Sequence, residues 1–314
     1  MASFSHIRRA IRQPFETGGY KLAKWLVPLL PRGAVVGMAS LVGRLVALLP
    51  LREKRFALAN LDAVFGDTKS SAEKRQIISS SFSSFVLTMM DLFWFSRNPQ
   101  KRILKYVEIT PEFARLFEDK PHLLLTAHFG NWEFIAQTSA LHNIDLASIA
   151  APVKNKAINQ ILIEQREKTG QTIIPQKGAL RTLVARLRNK GKVGFVLDQN
   201  TPEKEGGIVV NFLGIPTPVS AAPAALAYRT GTEILFGFCI PQPRGKYLLY
   251  SPGSLLPPAY EKGADASAIA QELTQQILDH ISAEIREHPE YWLWSYRHWR
   301  REPGKSYPKN YPNY

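Results

Sequence analysis

The segment LLLTAHFGNWEF carries the side chains best suited to chemistry, His128 and Glu133, five positions apart. The apolar run 122–127 precedes the histidine and predicts a short buried strand that ends just before it. Ligands bind at the carboxyl ends of strands in open α/β sheets, so His128 is placed to act as a general base. Glu133, on the first turn of the following helix, can hold one ring nitrogen while the other takes a proton.

This pair lacks the nucleophile of a catalytic triad, which predicts that the nucleophile is the substrate's own hydroxyl group. The His-x4-acid spacing arises by chance about 0.6 times in a chain of this composition. The inference therefore rests on the strand before the histidine and on Gly130 in the turn after it. A structural histidine at a strand end stays open as the alternative.

A second acidic residue, Asp198, also follows a predicted strand, which spans 193–197. The carboxyl ends of parallel strands meet at one edge of a sheet. Asp198 and its neighbour Gln199 can therefore line the same site as His128, or only cap the loop that follows. If Glu133 does not hold the imidazole, Asp198 is the acidic residue that we expect to take its place.

The elements that position these residues alternate between strand and helix from about residue 103 onward. Short apolar runs predict strands at 122–127, 146–151, 171–175, 193–197 and 208–212, and an antiparallel pair at 233–240 and 246–250. Periodic apolar residues predict helices at 155–168, 179–189, 220–230 and 266–287. This alternation predicts an α/β fold, a mixed central β-sheet flanked by helices on both faces.

A long helix precedes the alternating region. Ser70 and Glu73 have the spacing of a capping box, in which each side chain binds the backbone N–H of the other residue. The helix that they begin runs to about Phe95 and is more apolar than one core-facing side requires. We expect it to be buried on several sides, or to contact lipid or an acyl chain along one face.

Composition narrows the function classes. The chain has 314 residues, 45% of them hydrophobic, which is enough for a large core and excludes wholesale disorder. The single cysteine, Cys239, excludes a disulfide scaffold and a cysteine-based zinc site. The motifs G-x-S-x-G, G-x-G-x-x-G and H-E-x-x-H do not occur, and we expect neither a metal nor a cofactor. The net charge of +14 indicates an anionic partner: nucleic acid, anionic lipid or an acidic protein.

The N-terminal segment combines positive charge with apolar residues. Five of the first 25 residues are cationic, and the 17-residue apolar run 33–49 contains Arg44. A bilayer span needs about 20 apolar residues, so we expect a helical arm that lies on a membrane surface with Trp25 at the interface. The alternative is a helix that packs on the domain. We divide the chain into this arm (1–60), an α/β domain (61–302) and an irregular tail (303–314).

The segment from His128 to Glu133 resembles the signature of the lipid A late acyltransferases, within the glycerolipid acyltransferase superfamily and its His-x4-acid motif. The resemblance extends over most of the chain. The further matching segments are Asn60-Leu61, Pro152-Val153-Lys154-Asn155, Arg166, Asp198-Gln199, Val210-Asn211-Phe212-Leu213-Gly214 and Pro289-Glu290-Tyr291-Trp292-Leu293-Trp294. The departures from the family pattern are Ala151 for arginine, Ser220 for threonine and Tyr296-Arg297-His298-Trp299 for His-Arg-Arg-Trp.

The resemblance implies an acyltransferase at the cytoplasmic face of the inner membrane, monotopic or held by a single N-terminal anchor. His128, oriented by Glu133, takes the proton of an acceptor hydroxyl, which attacks the thioester of an acyl carrier protein or of coenzyme A. The implied acceptor is a lipid A precursor. Arg166 is a candidate for binding the oxyanion or an acceptor phosphate. The other candidates for binding substrate are Asn131, Asp198 and Gln199.

Three other functions stay open. The acceptor can be another glycolipid, such as a phosphatidylinositol mannoside, with the same catalytic pair. Water can replace the acceptor, which gives a thioesterase. The protein can also be a non-enzymatic basic protein that binds membranes or, through the aromatic and basic residues at 291–301, a nucleic acid. No known nucleic-acid module supports the last function, so we expect no nucleic-acid partner.

Overall fold

A computed structural model describes residues 17–150, 155–168, 170–175 and 178–299. Residues 17–26 are helical, and helices α1 (Arg32–Leu48), α2 (Arg52–Phe65) and α3 (Ser71–Trp94) follow. Helix α1 packs lengthwise on α3. The two backbones approach so closely at Gly43 that a Cβ there would overlap Ser83. A small residue at this crossing is what allows the close approach.

Helix α3 begins at the predicted capping box. The Ser70 side chain accepts from the Glu73 backbone N–H, and the Glu73 carboxylate accepts from the Ser70 N–H at 2.8 Å. By length and apolar composition α3 is the one helix in the described ranges that could cross a membrane, but 61% of its most apolar window is buried inside the protein. The bent pair of α1 and residues 52–68 passes the same test only if the two count as one span, and their axes differ by 84°.

The rest of the chain builds the sheets and the helices that cover them. The helices are α4 (Pro99–Tyr106), α5 (Pro111–Ala114), α6 (Glu133–Leu141), α7 (Lys156–Glu167), α8 (Ala179–Arg188), α9 (Ala222–Thr230) and α10 (Ala266–Glu287). The strands are β1 (Val107–Ile109), β2 (His122–Thr126), β3 (Leu146–Ala150), β4 (Thr172–Pro175), β5 (Lys192–Val196), β6 (Gly207–Phe212), β7 (Ile215–Ser220), β8 (Ile234–Phe236), β9 (Phe238–Gln242), β10 (Lys246–Tyr250) and β11 (Ser254–Leu255).

The main sheet has six strands in the order β11-β8-β2-β5-β3-β4. All its neighbours pair in parallel except β11 and β8, so the predicted mixed sheet is confirmed. Both faces are covered: Leu124 packs with Phe134 of α6 and Ile161 of α7, whereas Leu123 lies in the cluster of Leu183 and Ile277, from α8 and α10. Alternate residues of a strand point to opposite faces, which is why one strand serves two cores.

Two predicted elements differ from the structure. The strand expected at 233–240 is two strands, because the backbone breaks at Gly237, whose N–H donates to Leu125. Strand β8 joins the main sheet, whereas β9 pairs with β10 in a three-stranded sheet with β1. The helix expected from Ser220 starts at Ala222, and residues 215–220 form β7, a hairpin partner of β6. The sequence pattern did not predict β7 because the strand contains two prolines, and proline lacks the N–H that a regular strand ladder needs.

The predicted domain boundaries at 60 and 302 stay predictions. Helices α1 and α2 pack against α3, and Asn60 donates to the carbonyl groups of Trp294 and Tyr296. The first residues of the arm, the segment 151–154 with its Pro152-Val153-Lys154 match, and the tail 303–314 lie outside the described residues.

Candidate active site

Register in the main sheet brings His128 and Asp198 together. Strands β2 and β5 are adjacent and parallel, with Thr126 opposite Val196. His128 and Asp198 each lie two residues beyond this pair, so the imidazole and the carboxylate emerge side by side. Nδ1 of His128 lies 2.7 Å from Oδ1 of Asp198.

The Asp198 carboxylate is fully enclosed and has a donor for each oxygen. Oδ2 accepts from the backbone N–H of His128 at 3.0 Å and from the indole N–H of Trp292 at 2.8 Å. Burial alone would raise the pKa of Asp198, but the charge and hydrogen bonds of His128, with Trp292, outweigh it and lower that pKa to about 2. The carboxylate is therefore ionised at every physiological pH.

The His128 imidazole is 23% exposed, and Asp198 occupies its Nδ1. Burial would lower the pKa of His128, but the charge of Asp198 and its hydrogen bond outweigh burial and raise that pKa. Glu133 raises it further and Arg166 opposes this. The arrangement fixes the tautomer with its proton on Nδ1 and leaves Nε2 to accept a proton, as a general base requires.

The turn after His128 is held on three sides. Gly130 has φ +54°, and a Cβ there would overlap the carbonyl oxygen of Cys239. Its N–H donates to Tyr291, and its carbonyl accepts from the Thr88 hydroxyl of α3 at 3.0 Å. Only glycine fits this conformation and this approach, which explains the glycine in the motif.

The expected hydrogen bond between Glu133 and His128 is wrong. The Glu133 carboxylate instead forms a bidentate pair with Arg166, with Nε at 2.9 Å and Nη2 at 2.6 Å. Glu133 begins α6 and pairs with Arg166 in the last turn of α7, whereas Asp198 lies directly beside the imidazole. Arg166, a candidate for the oxyanion or a phosphate, thus has two nitrogen atoms committed to Glu133, and these two predicted residues form one unit.

The remaining predicted residues, Gln199 and Asn131, lie in different places. The Gln199 amide nitrogen is 3.4 Å from Nδ1 of His128. Asn131 is buried, and its amide lies 3.4 Å from the Asp91 carboxylate of α3. The Trp132 ring packs edge-on against His128 with centroids 5.0 Å apart. Gln199 therefore lies on the Nδ1 side of the imidazole, which Asp198 also holds, whereas Asn131 faces the protein interior.

The C-terminal segment forms a wall of the site that the sequence did not predict. Besides the Trp292 bond, the Leu293 N–H donates to the His128 carbonyl at 3.1 Å. His298 stacks on Trp292 at 4.1 Å, with Nδ1 3.1 Å from the Asp198 carbonyl oxygen. The match of 289–294 to the family tail was the available signal, but it does not say which residue the tail contacts.

Comparison with known proteins gives the family of the chain. A family model described as bacterial lipid A biosynthesis acyltransferase matches residues 17–301. The chain belongs to this family. The predicted family is thus confirmed, and the acyltransferase class of the family's members with it.

Curated relatives of this family member are phosphatidylinositol mannoside acyltransferases. The Mycobacterium tuberculosis protein is 29% identical over 54% of this chain and 52% of its own length. The Mycolicibacterium smegmatis protein is 22% identical over 69% of this chain and 70% of its own. The chain thus spans about half the length of the first of these relatives.

A solved structure, that of the 1-acyl-sn-glycerophosphate acyltransferase PlsC from Thermotoga maritima, is similar over 78% of this chain and 98% of the PlsC chain. The sequence identity is 13% and the TM-score is 0.34.

Proposed function

We propose that this family member transfers a fatty acyl chain from a thioester, of acyl carrier protein or of coenzyme A, to a hydroxyl of a lipid A precursor. The observation that carries the proposal is the His128 imidazole, fixed through Nδ1 by a buried, ionised carboxylate at the carboxyl edge of the sheet. A histidine held in this way is a general base, and within the described residues no serine, threonine or cysteine side chain hydrogen-bonds to it, which suits a hydroxyl acceptor.

In the reaction, Nε2 of His128 takes the proton as the acceptor oxygen attacks the thioester carbonyl. Asp198 stabilises the imidazolium that forms. When the tetrahedral intermediate collapses, the C–S bond breaks and the imidazolium returns its proton to the thiolate. The products are an ester of the acceptor and a free carrier thiol, so atoms and charge balance.

The oxyanion needs donors other than the first N–H groups of the turn. Those of residues 128 to 131 donate to Asp198, Ala127, Tyr291 and Cys239. The next ones along the chain belong to Trp132 and Glu133, at the start of α6, where backbone N–H groups lack intrahelical acceptors. We assign the oxyanion to this start of α6.

The Glu133–Arg166 pair lies next to His128 without holding it. Its two charges act on the pKa of His128 in opposite directions. We assign the pair to fixing α6 against α7 at the mouth of the site, where the acceptor head group enters. The Arg166 guanidinium offers donors and the Glu133 carboxylate offers acceptors to a polar sugar. The pair has no net charge.

Membrane attachment explains an apolar surface on the arm. Exposed apolar side chains run along residues 22–29 and one face of α1, while the opposite face of α1 packs on α3. The most exposed members are Leu22, Trp25, Leu29, Leu41, Leu45 and Leu48. Contiguous apolar patches of this kind mark interaction sites. We place the protein on the cytoplasmic face of the inner membrane, with this face in the lipid interface.

A phosphatidylinositol mannoside is the second candidate acceptor, because the curated relatives carry that name. The catalytic geometry is the same for either glycolipid. The two candidates differ in the head group that must bind at the mouth of the site.

The test is a purified-enzyme assay with acyl carrier protein and coenzyme A thioesters against both acceptors, with products identified by mass spectrometry. We expect an acylated lipid A precursor, and a His128→Ala variant reduced by about 10²–10⁴-fold. Transfer only to the phosphatidylinositol mannoside would mean that this glycolipid, and not a lipid A precursor, is the acceptor. Hydrolysis of the thioester without transfer, or binding of a DNA probe with no turnover, would overturn the proposed reaction.

A further inference from the structure

A buried ion pair joins the arm to the catalytic turn. Arg32, on the first turn of α1, binds the Asp91 carboxylate of α3 through both terminal nitrogens, and Nε donates to the Gly245 carbonyl at 2.9 Å. Their side chains are only 5% and 0% exposed. Burying two charges costs several kcal/mol per ion unless geometry and further hydrogen bonds compensate. Such a pair is therefore a weak source of stability, and its presence calls for another role.

Aromatic side chains surround the guanidinium of Arg32. The guanidinium carbon of Arg32 lies 5.0 to 5.9 Å from the centroids of four aromatic rings, those of Trp94, Phe95, Tyr106 and Tyr247. The Tyr247 hydroxyl donates to Oδ2 of Asp91 at 2.6 Å. The planar cation is thus held by stacking and by a bidentate partner at once, which a lysine could not reproduce.

The same pair reaches the turn that follows His128. Oδ2 of Asp91 lies 3.4 Å from the Asn131 amide nitrogen, and one helical turn earlier the Thr88 hydroxyl donates to the Gly130 carbonyl. Helix α3 therefore contacts two consecutive residues of the turn. The Arg32 side chain fixes the Asp91 carboxylate that makes one of these contacts.

We propose that Arg32, acting through Asp91, is a positioning residue for acyl transfer: it sets the turn at Gly130 and Asn131, and thereby the imidazole of His128, relative to the helix that bears the exposed apolar face. The proposal rests on the proposed function, in which His128 is the base. A displacement of about 1 Å in such a site costs on the order of 10²-fold in rate. Arg32 itself touches no reacting atom.

The experiment replaces the pair by apolar residues of similar size, Arg32→Met with Asp91→Leu, since such replacements commonly keep or raise stability. We expect a folded protein with unchanged vesicle binding, with kcat on the order of 10- to 100-fold lower, and with little change in the KM for the thioester. The acid limb of the pH–rate profile should stay in place, because Asp198 still sets the pKa of His128. Arg32→Lys should give an intermediate kcat.

Two further variants keep the test decisive. Lys74→Met with Asp62→Leu removes another ion pair of α3, with N and O 2.6 Å apart, near the opposite end of the helix, and should leave kcat unchanged. If the apolar double variant does not fold, Tyr247→Phe removes only the hydroxyl bond to Asp91 and should still lower kcat several-fold. Wild-type kcat in either folded variant overturns the proposal. Wild-type turnover in His128→Ala would instead overturn the proposed base.

Discussion

The indole N–H of Trp292 donates to Oδ2 of Asp198 at 2.8 Å, while Oδ1 of the same carboxylate accepts from Nδ1 of His128. A residue from the end of the chain thus fixes the rotation of a carboxylate delivered by a central strand. Trp292→Phe removes this bond and keeps most of the ring. We expect a loss of about 1–2 kcal/mol in stability and a several-fold lower kcat, because the carboxylate can then rotate.

The matched control is Trp294→Phe. Trp294 is equally buried and donates to the Pro289 carbonyl at 2.6 Å instead of to Asp198. It should lose similar stability in chemical unfolding while its kcat stays at the wild-type value. Equal kcat values for the two variants would show that the Trp292 bond has no part in catalysis.

Asp198→Asn tests the origin of the raised pKa of His128. The amide keeps the shape and removes the charge, so the pKa of His128 falls and the neutral imidazole persists to lower pH. The acid limb of the kcat/KM profile should therefore move to lower pH, while the maximum falls by about 10²–10⁴-fold. An acid limb that does not move would mean that another group sets the pKa.

Glu133 and Arg166 should behave as one unit. Glu133→Gln removes the carboxylate partner of the half-buried Arg166, and Arg166→Gln removes the cation beside the buried Glu133 carboxylate. The double change should cost less stability and activity than the sum of the two single changes, with a coupling energy of about 1–3 kcal/mol. The exposed pair Lys190 and Asp119, 2.7 Å apart, is the control and should show coupling near zero. Additive effects for Glu133 and Arg166 would contradict the pairing.

Membrane binding should depend on the exposed face of α1. Leu41→Gln with Leu45→Gln removes apolar area at positions 59% and 52% exposed, so sedimentation with anionic vesicles should decrease without loss of fold. Leu180→Gln with Leu256→Gln, also exposed but outside the arm, should leave sedimentation unchanged. Equal loss in both double variants would indicate general surface hydrophobicity. Deletion of the arm is a poorer test, because Arg32 and Val35 are buried in the core.

Glu233 should contribute to stability in a pH-dependent way. Burial opposes ionisation, but hydrogen bonds from Ser254, Lys120 and Arg115 outweigh it and lower the pKa of Glu233 to about 2 from 4.5. A lowered carboxylate pKa gives stability that is present above pH 4.5 and is lost as the pH falls toward 2. Glu233→Gln should therefore be less stable than wild type at pH 7 by about 1–3 kcal/mol and show a weaker decrease between pH 5 and 2 in urea unfolding.

Much of the architecture follows from the sequence because the signals are local. The capping box at Ser70 fixes the start of α3 within its own four residues. The apolar run before His128 becomes β2, and its motif gives the family. The division of 233–240 at Gly237 and the strand β7 were missed because both depend on partners far along the chain.

The partner of His128 was a question that sequence alone could answer only as a choice between two carboxylates. Spacing favours Glu133, five residues away, since it measures distance along the chain. The structure selects Asp198, 70 residues away, because the pairing of Thr126 with Val196 sets the two strand ends side by side. Residue types and their local order are determined by the sequence, whereas strand register, which depends on the whole sheet, decides which side chains meet.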